Sequence, residues 1–284
     1  MKLIFADPHI EEKAIPELHD IFEEIIKHEA DELIMLGDYY DKKHPSSQEI
    51  LFGTEWAYKF KKKYKTVIFL VGNHDKTREI SAIEYLKYFD INIVESYKDE
   101  DNNFYGHFMT NKSRFEYGTH EKTVTQLKKY SKVFLGHQHN YQRINKNIYH
   151  LGSIRYINFN EATDDEKFIA LLDKDLELIA LQTPIKMADI TSLTELDKKD
   201  YDGYKIRLVI SSFDQFKREI NQVSEYKKKY PEFKVKLNFN ATEEKQTTKS
   251  TKAKKLQDII NEGLKQIKDK EVREMLENQF KENE

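Results

Sequence analysis

Eight polar residues able to bind a metal ion or move a proton stand where short apolar runs stop. Lys2-Leu-Ile-Phe-Ala6 runs into Asp7-Pro8-His9, and Leu33-Ile-Met-Leu36 into Gly37-Asp38. Val67-Ile-Phe-Leu-Val71 runs into Gly72-Asn73-His74-Asp75, Phe104-Tyr105-Gly106 into His107, and Lys132-Val-Phe-Leu135 into Gly136-His137-Gln138-His139. Polar groups at the C-terminal edge of buried strands are where α/β sheets carry their chemistry. Alternate residues of an extended segment point the same way, so Asp7 with His9, and His137 with His139, can each reach one point. Carboxylate, amide and imidazole donors together suit two divalent cations of the manganese, iron or zinc type. A carboxylate shared between such ions holds them roughly 3.5–4 Å apart, which suits in-line attack on a phosphate ester. Any one of these segments alone is weak, because Asp after a strand and Gly-Asp are common in caps and turns. The weight lies in the series. His28, His44, His120 and His150 lack the strand-end context and read as surface or core histidines.

The elements that must position these residues follow from periodicity. Residues 14–29 carry Ile15, Leu18, Ile21, Phe22, Ile25 and Ile26 at helical spacing, and Pro16 is tolerated if it lies in the first turn. Further helices are expected over 48–63 and 79–88, the latter preceding a strand at Ile91–Val94. Strands alternating with helices give α/β layering. From about residue 100 the texture changes to shorter strands, with hairpins expected at Tyr141–Ile144/Ile148–Leu151 and Phe168–Leu172/Leu176–Leu181. Composition shifts again near Thr183-Pro184, giving residues 1–183 as the main domain. Residues 184–241 read as a small α+β unit, with strands at Tyr204–Ile210 and Phe233–Phe239 around a helix over 214–229. Residues 242–253 read as a flexible linker, and 254–284 as a helical element with Leu256, Ile259, Ile260, Leu264 and Ile267 on one face.

The chain has 284 residues, 38% hydrophobic and 34% charged, with a net charge of -3, which suits a soluble protein and excludes a globally basic nucleic-acid binder. It has no cysteine, so disulfides, thiolate zinc sites and cysteine nucleophiles are excluded. No leader-like segment or membrane-length apolar run is evident, and the cytoplasm is the expected compartment, with nucleoid association or a host cytoplasm as variants.

Asp-x-His, Gly-Asp-x-x-Asp, Gly-Asn-His-Asp, Gly-His and Gly-His-x-His in series resemble the calcineurin-like metallophosphoesterase superfamily over about residues 1–181. Gly136-His-Gln-His139, followed by Tyr149-His-Leu-Gly-Ser-Ile-Arg155 and Phe159-Asn-Glu161, is similar to the SbcD-type recombination nucleases, the meiotic-recombination nuclease subunit and its T-even phage relative among them. The resemblance implies a four-layer α/β/β/α sandwich with a small capping domain and a C-terminal helical tail. It implies one metal on Asp7, His9, Asp38 and His139, and another on Asp38, Asn73, His107 and His137, with Asp38 bridging and manganese as the usual ion. His74 would assist the leaving oxygen, oriented by Asp75. Asp41 is followed by Lys42-Lys43 and His74 by Asp75, which departs from the protein-phosphatase branch.

The same resemblance implies a two-metal nuclease, exonuclease on duplex ends and endonuclease on single strands, serving an ATP-driven break-repair complex. Its expected partners are DNA, an SbcC-type coiled-coil ATPase gripped by residues 254–284, and a second copy of the chain. A different outcome for that tail is packing on its own core. A stand-alone phosphodiesterase acting on cyclic nucleotides or small esters, and a catalytically weak scaffold, are the alternative functions. Lys61-Lys-Lys63 and Lys227-Lys-Lys229 could touch a DNA backbone, though such runs are more often solvated helix faces.

Overall fold

The computed structural model describes residues 1–77, 80–114, 122–164 and 166–238. The chain divides into two compact units, Met1–Ile185 and a second that begins at Lys186. The linker and tail expected over 242–284, and His120, lie outside the described residues.

In the first unit β1 (Lys2–Phe5), β2 (Glu32–Met35), β3 (Thr66–Leu70) and β4 (Asn92–Val94) are parallel neighbours. Between them come α1 (Ile15–Ile25), with Pro16 in its first turn, and α2 (Ser47–Lys63). A reciprocal cap starts α2: Ser46 Oγ accepts from the Glu49 N–H, and Glu49 accepts from the Ser46 N–H. Then follow β5 (Ser96–Lys98), β6 (Phe104–His107), α3 (Val124–Leu127), β7 (Val133–Gly136), β8 (Gln142–Arg143), β9 (Ile148–His150), β10 (Lys167–Leu172) and β11 (Leu176–Leu181). One six-stranded sheet has the order β11-β10-β1-β2-β3-β4, and a five-stranded sheet the order β5-β6-β7-β9-β8.

Side-chain alternation sorts the apolar residues into layers. Leu3, Phe5, Leu33, Met35, Val67 and Phe69 face α1 and α2, where Phe22, Trp56 and Phe60 are buried. The opposite face of the same strands (Ile4, Ile34, Ile68 and Leu70) packs on Tyr105, Phe134 and Tyr149 of the second sheet. The outer face of that sheet, with Phe104, Val133, Leu135 and Ile148, is covered by Val124 and Leu127 of α3. The four-layer sandwich is therefore present, and its last layer is thin among the described residues. Both hairpins form as antiparallel pairs.

The helix expected over 79–88 is instead a short 3-10 turn at Glu84–Phe89. Lys76 bridges to Ser81, and the Ala82 N–H is donated to the Asp75 carbonyl, so backbone groups that a longer helix would need are already used. Lys61 and Lys63 at the end of α2 form ion pairs with Asp90 and Glu29. That accounts for much of the first basic run as surface pairing.

In the second unit β12 (Met187–Ile190), β13 (Lys205–Ile210) and β14 (Lys234–Leu237) form a parallel sheet. The helix expected over 214–229 is split into α4 (Phe213–Glu219), a 3-10 turn and α5 (Val223–Lys229). The turn eclipses Ile220 and Val223, three apart, and both are buried in this unit's own core. No helix among the described residues is long and apolar enough to cross a membrane.

Candidate metal centre

Each expected residue stands just past a strand of the first unit. Asp7 and His9 follow β1, Asp38 follows β2, and Asn73 and His74 follow β3; His107 closes β6, and His137 and His139 follow β7. The turns that gather them are conformationally costly. Of the six non-glycine residues with positive φ among those described, four are Asp7, His9, Asp38 and His137. Each left-handed residue costs on the order of 1–3 kcal/mol, so strain is concentrated where the polar groups meet. Two glycines make the approach fit. Gly37 has φ +96°, and at Gly72 a Cβ would overlap the backbone nitrogen and carboxylate of Asp38.

The donor atoms converge in two sets that share Asp38. On one side, His107 Nε2 lies 3.1 Å from Asp38 Oδ2 and 3.0 Å from Asn73 Oδ1. His137 Nδ1 is 2.6 Å from the same Asn73 oxygen and 3.3 Å from His107 Nε2. On the other side, His9 Nε2 lies 3.6 Å from Asp38 Oδ2, and the His9 and His139 ring centroids are 4.9 Å apart. Asp7, His9 and His139 bring donor atoms within 4.8 Å of one another, as do Asp38, His107 and His137. A third such group, His9, Asp38 and His74, overlaps both. The remaining carboxylate oxygens are spoken for by backbone: Asp38 Oδ1 accepts from the His74 N–H, and Asp7 from the His137 N–H.

Histidine tautomers follow from acceptor-only partners. His107 and His74 donate Nδ1–H to the carbonyls of Leu36 (2.7 Å) and Asp41 (2.6 Å). His9 donates Nδ1–H to the Asp41 carboxylate at 3.2 Å, and burial pushes its pKa down to about 4, so the ring is neutral. Its Nε2 is then a bare lone pair, buried, with no hydrogen-bond partner among the described residues, aimed toward Asp38. A buried acceptor facing a carboxylate is expensive unless a cation lies between them. The set of N and O donors without sulfur, together with this orphaned nitrogen, fits a divalent metal.

The same carboxylates and imidazoles shift one another's protonation. Burial opposes ionisation of Asp38, but the neighbouring His107 outweighs it and holds the carboxyl well below the usual range. Against burial, Asp38 and Asp7 raise His107 to about 9. Burial, then the charge of His107, pushes His137 down to about 4. An open depression of about 190 Å³ is lined by His137 and His139 together with Met109, Asn158 and Glu161.

The Calcineurin-like phosphoesterase family matches residues 3–211. The chain belongs to this family. Metal-dependent hydrolysis of a phosphoester at a dinuclear centre is the chemistry the family implies. No curated protein matches the chain. Among solved structures it is similar to the nuclease MPE of Pseudomonas putida, at 19% identity over 63% of this chain and 87% of that one, with a TM-score of 0.34. A single-mutant Vps29 from Entamoeba histolytica is similar at 10% identity over 64% and 99%, with a TM-score of 0.38.

Within this phosphoesterase one expected role is corrected. Asp75 does not orient the His74 ring. Its carboxylate is buried and turned inward, accepting from the N–H groups of Gly72 (2.9 Å), Tyr39 (3.3 Å) and Tyr40 (3.2 Å). It staples the loop after β3 to the loop after β2, and burial with the nearby Asp38 charge pushes it up to about 6. The sequence adjacency misled because His74 turns its ring toward Asp41, whose carbonyl anchors it.

Four supporting residues went unassigned in the sequence. Asp41 serves His74 through its carbonyl and His9 through its carboxylate. Arg155 is buried, donating to the carbonyls of Pro8 (3.1 Å) and His9 (2.9 Å) while pairing with Glu11. Glu161 Oε1 faces His139 Nδ1 at 3.4 Å, and Lys167 pairs with Glu161 at 2.7 Å. Charged residues inside otherwise apolar strand and turn segments were the available signal. His150 is a core histidine, donating Nδ1–H to the Gly136 carbonyl at 3.2 Å and accepting from Ser113 Oγ at 2.8 Å.

Proposed function

We propose that this phosphoesterase is a DNA nuclease that works with two divalent cations, Mn2+ foremost. Asp7, His9, Asp38 and His139 would hold one, and Asp38, Asn73, His107 and His137 the other. The observation that carries the reading is Asp38, whose Oδ2 faces the orphaned His9 nitrogen on one side and His107 on the other. When bound, the ions would neutralise a scissile phosphate and lower the pKa of attacking water.

The chain's own residues do the rest. Asp41 holds the Nδ1–H of His74, which leaves Nε2 to carry a proton. We assign His74 to protonate the 3′ oxygen as its P–O bond breaks, with Asp41 rather than Asp75 setting the ring. The His74 backbone N–H meanwhile steadies Asp38, so binding and proton transfer share one loop.

DNA as substrate, with 3′-to-5′ cleavage of duplex ends and nicking of single strands, is supported by the SbcD-type order of motifs through Arg155 and Glu161. Both residues buttress the site, which gives those motifs a physical role. A break-repair complex with a coiled-coil ATPase docked on residues 254–284, and pairing of two copies, complete the proposal. The test compares Mn2+-dependent release of nucleotides from duplex ends with hydrolysis of a chromogenic phosphodiester. His74→Ala should retain its ions and lose cleavage of DNA; equal loss of the ions would remove the proton-donor role. Turnover confined to the small ester would replace the DNA reading with a stand-alone phosphodiesterase.

A further inference from the structure

His139 is held differently from the other histidines of the centre. Lys167, only 2% exposed, donates from Nζ to the His139 carbonyl at 2.9 Å and to Glu161 Oε2 at 2.7 Å. Glu161, 1% exposed, presents its other oxygen to His139 Nδ1 at 3.4 Å. That oxygen also accepts from the N–H groups of Ile157 (3.2 Å) and Asn158 (3.0 Å), while Oε2 accepts from Ser153 Oγ at 2.9 Å. A buried cluster of Lys167, Glu161 and Asp164 thus holds the backbone of a single site residue and sets a carboxylate oxygen beside its ring. The rings of His107 and His74 are held by backbone carbonyls, and that of His9 by the half-buried Asp41.

Burying a Lys–Glu pair is not an economical way to stabilise a fold, because desolvation offsets most of the attraction. Such a pair has a reason to persist where a carboxylate must stand behind an imidazole. A carboxylate at Nδ1 fixes the proton there, leaves Nε2 as the lone pair, and makes that nitrogen a stronger donor to a cation. Lys167 holds the Glu161 carboxylate in place, and it does so from between two carboxylates, because it also pairs with Asp164 at 3.1 Å.

We infer that Glu161, braced by Lys167, is a positioning residue that sets the affinity of the cation position built on Asp7, His9 and His139, and leaves the position built on Asn73, His107 and His137 untouched. The inference rests on the two-cation reading above. It also assigns Glu161 a function distinct from its place in the short turn Phe159–Glu161, where Asn158 supplies the reciprocal cap.

The experiment is Mn2+ binding followed by calorimetry and by electron paramagnetic resonance of free Mn2+, without substrate. Glu161→Gln keeps the shape and removes the charge. It should weaken one of two binding events by roughly 10–100-fold and leave the other at the wild-type value. A double variant, Glu161→Gln with Lys167→Met, removes both charges facing His139, leaves Asp164 to Asn140, and should show the same single loss. Ser153→Ala deletes a hydrogen bond to the same carboxylate without altering its charge, and both events should remain. Nitrogen NMR of the wild-type His139 ring, taken at a pH alkaline enough for the ring to be neutral, should show the Nδ1–H tautomer before any metal is added. Two wild-type affinities in Glu161→Gln or in the double variant, or an Nε2–H tautomer at His139, would overturn the inference. A wild-type chain that binds fewer than two ions overturns the two-cation reading itself, and the inference with it.

Discussion

Replacing Asp75 separates the two roles a carboxylate beside His74 could have. Its two oxygens satisfy three buried or half-buried backbone donors, on Gly72, Tyr39 and Tyr40. In Asp75→Asn one carboxylate oxygen becomes an NH2 group. With the remaining oxygen on Gly72 and Tyr39, the NH2 faces the Tyr40 N–H, donor against donor. One unsatisfied buried donor costs about 1–3 kcal/mol. Asp75→Ala leaves all three without an acceptor, and the expected loss rises to roughly 3–9 kcal/mol before water enters the gap. Urea unfolding of wild type and both variants, read by circular dichroism, measures this ladder. Activity per folded molecule should drop in both, because the loop carrying Asn73 and His74 loses its tie to the loop carrying Asp38. A variant with wild-type stability, normal ion binding and abolished turnover would refute the staple, and would restore the view that Asp75 acts through the His74 ring.

Two further outcomes follow from the same geometry. Gly72→Ala puts a Cβ inside Asp38, so an overpacking cost of about 1–3 kcal/mol and a loss of turnover on the order of 100-fold are expected, measured by urea unfolding and steady-state kinetics. His150 is held neutral by burial, its pKa pushed down to about 3 in the folded chain against an ordinary unfolded value. Between those values the unfolded chain binds the extra proton, so this contribution is full above the unfolded pKa and is lost as pH falls toward the folded one. Between about pH 7.5 and about pH 5 the loss is about 2 kcal/mol, and the stability of wild type minus that of His150→Asn should shrink by that amount. Parallel stability–pH curves for the two chains would contradict it.

The sequence carried the centre because each donor follows an apolar run, and a parallel sheet brings such run-ends to one edge. The strands β1, β2, β3, β6 and β7 were legible for that reason, as were both hairpins. What could not be read was which side chain turns toward which loop. Asp75 adjoins His74 in the chain but buries itself against Tyr39 and Tyr40, while Asp41, on the neighbouring loop, takes the ring. Glu161 stood in the sequence only as the end of the Phe159-Asn-Glu161 motif and Lys167 carried no signal of its own, and only the folded chain brings both to His139. The turn at Glu84–Phe89 and the split between α4 and α5 were hidden because local propensity there is helical, whereas tertiary contacts decide the pitch.

The central claim is that Asp38 serves two cation positions at once. Equilibrium Mn2+ binding to wild type and to Asp38→Ala, with unfolding monitored in parallel, tests it directly. The expected result is two ions per wild-type chain and severe weakening of both events in a folded Asp38→Ala chain. Fewer than two ions in wild type, or two ions bound at wild-type affinity by Asp38→Ala, would contradict the account.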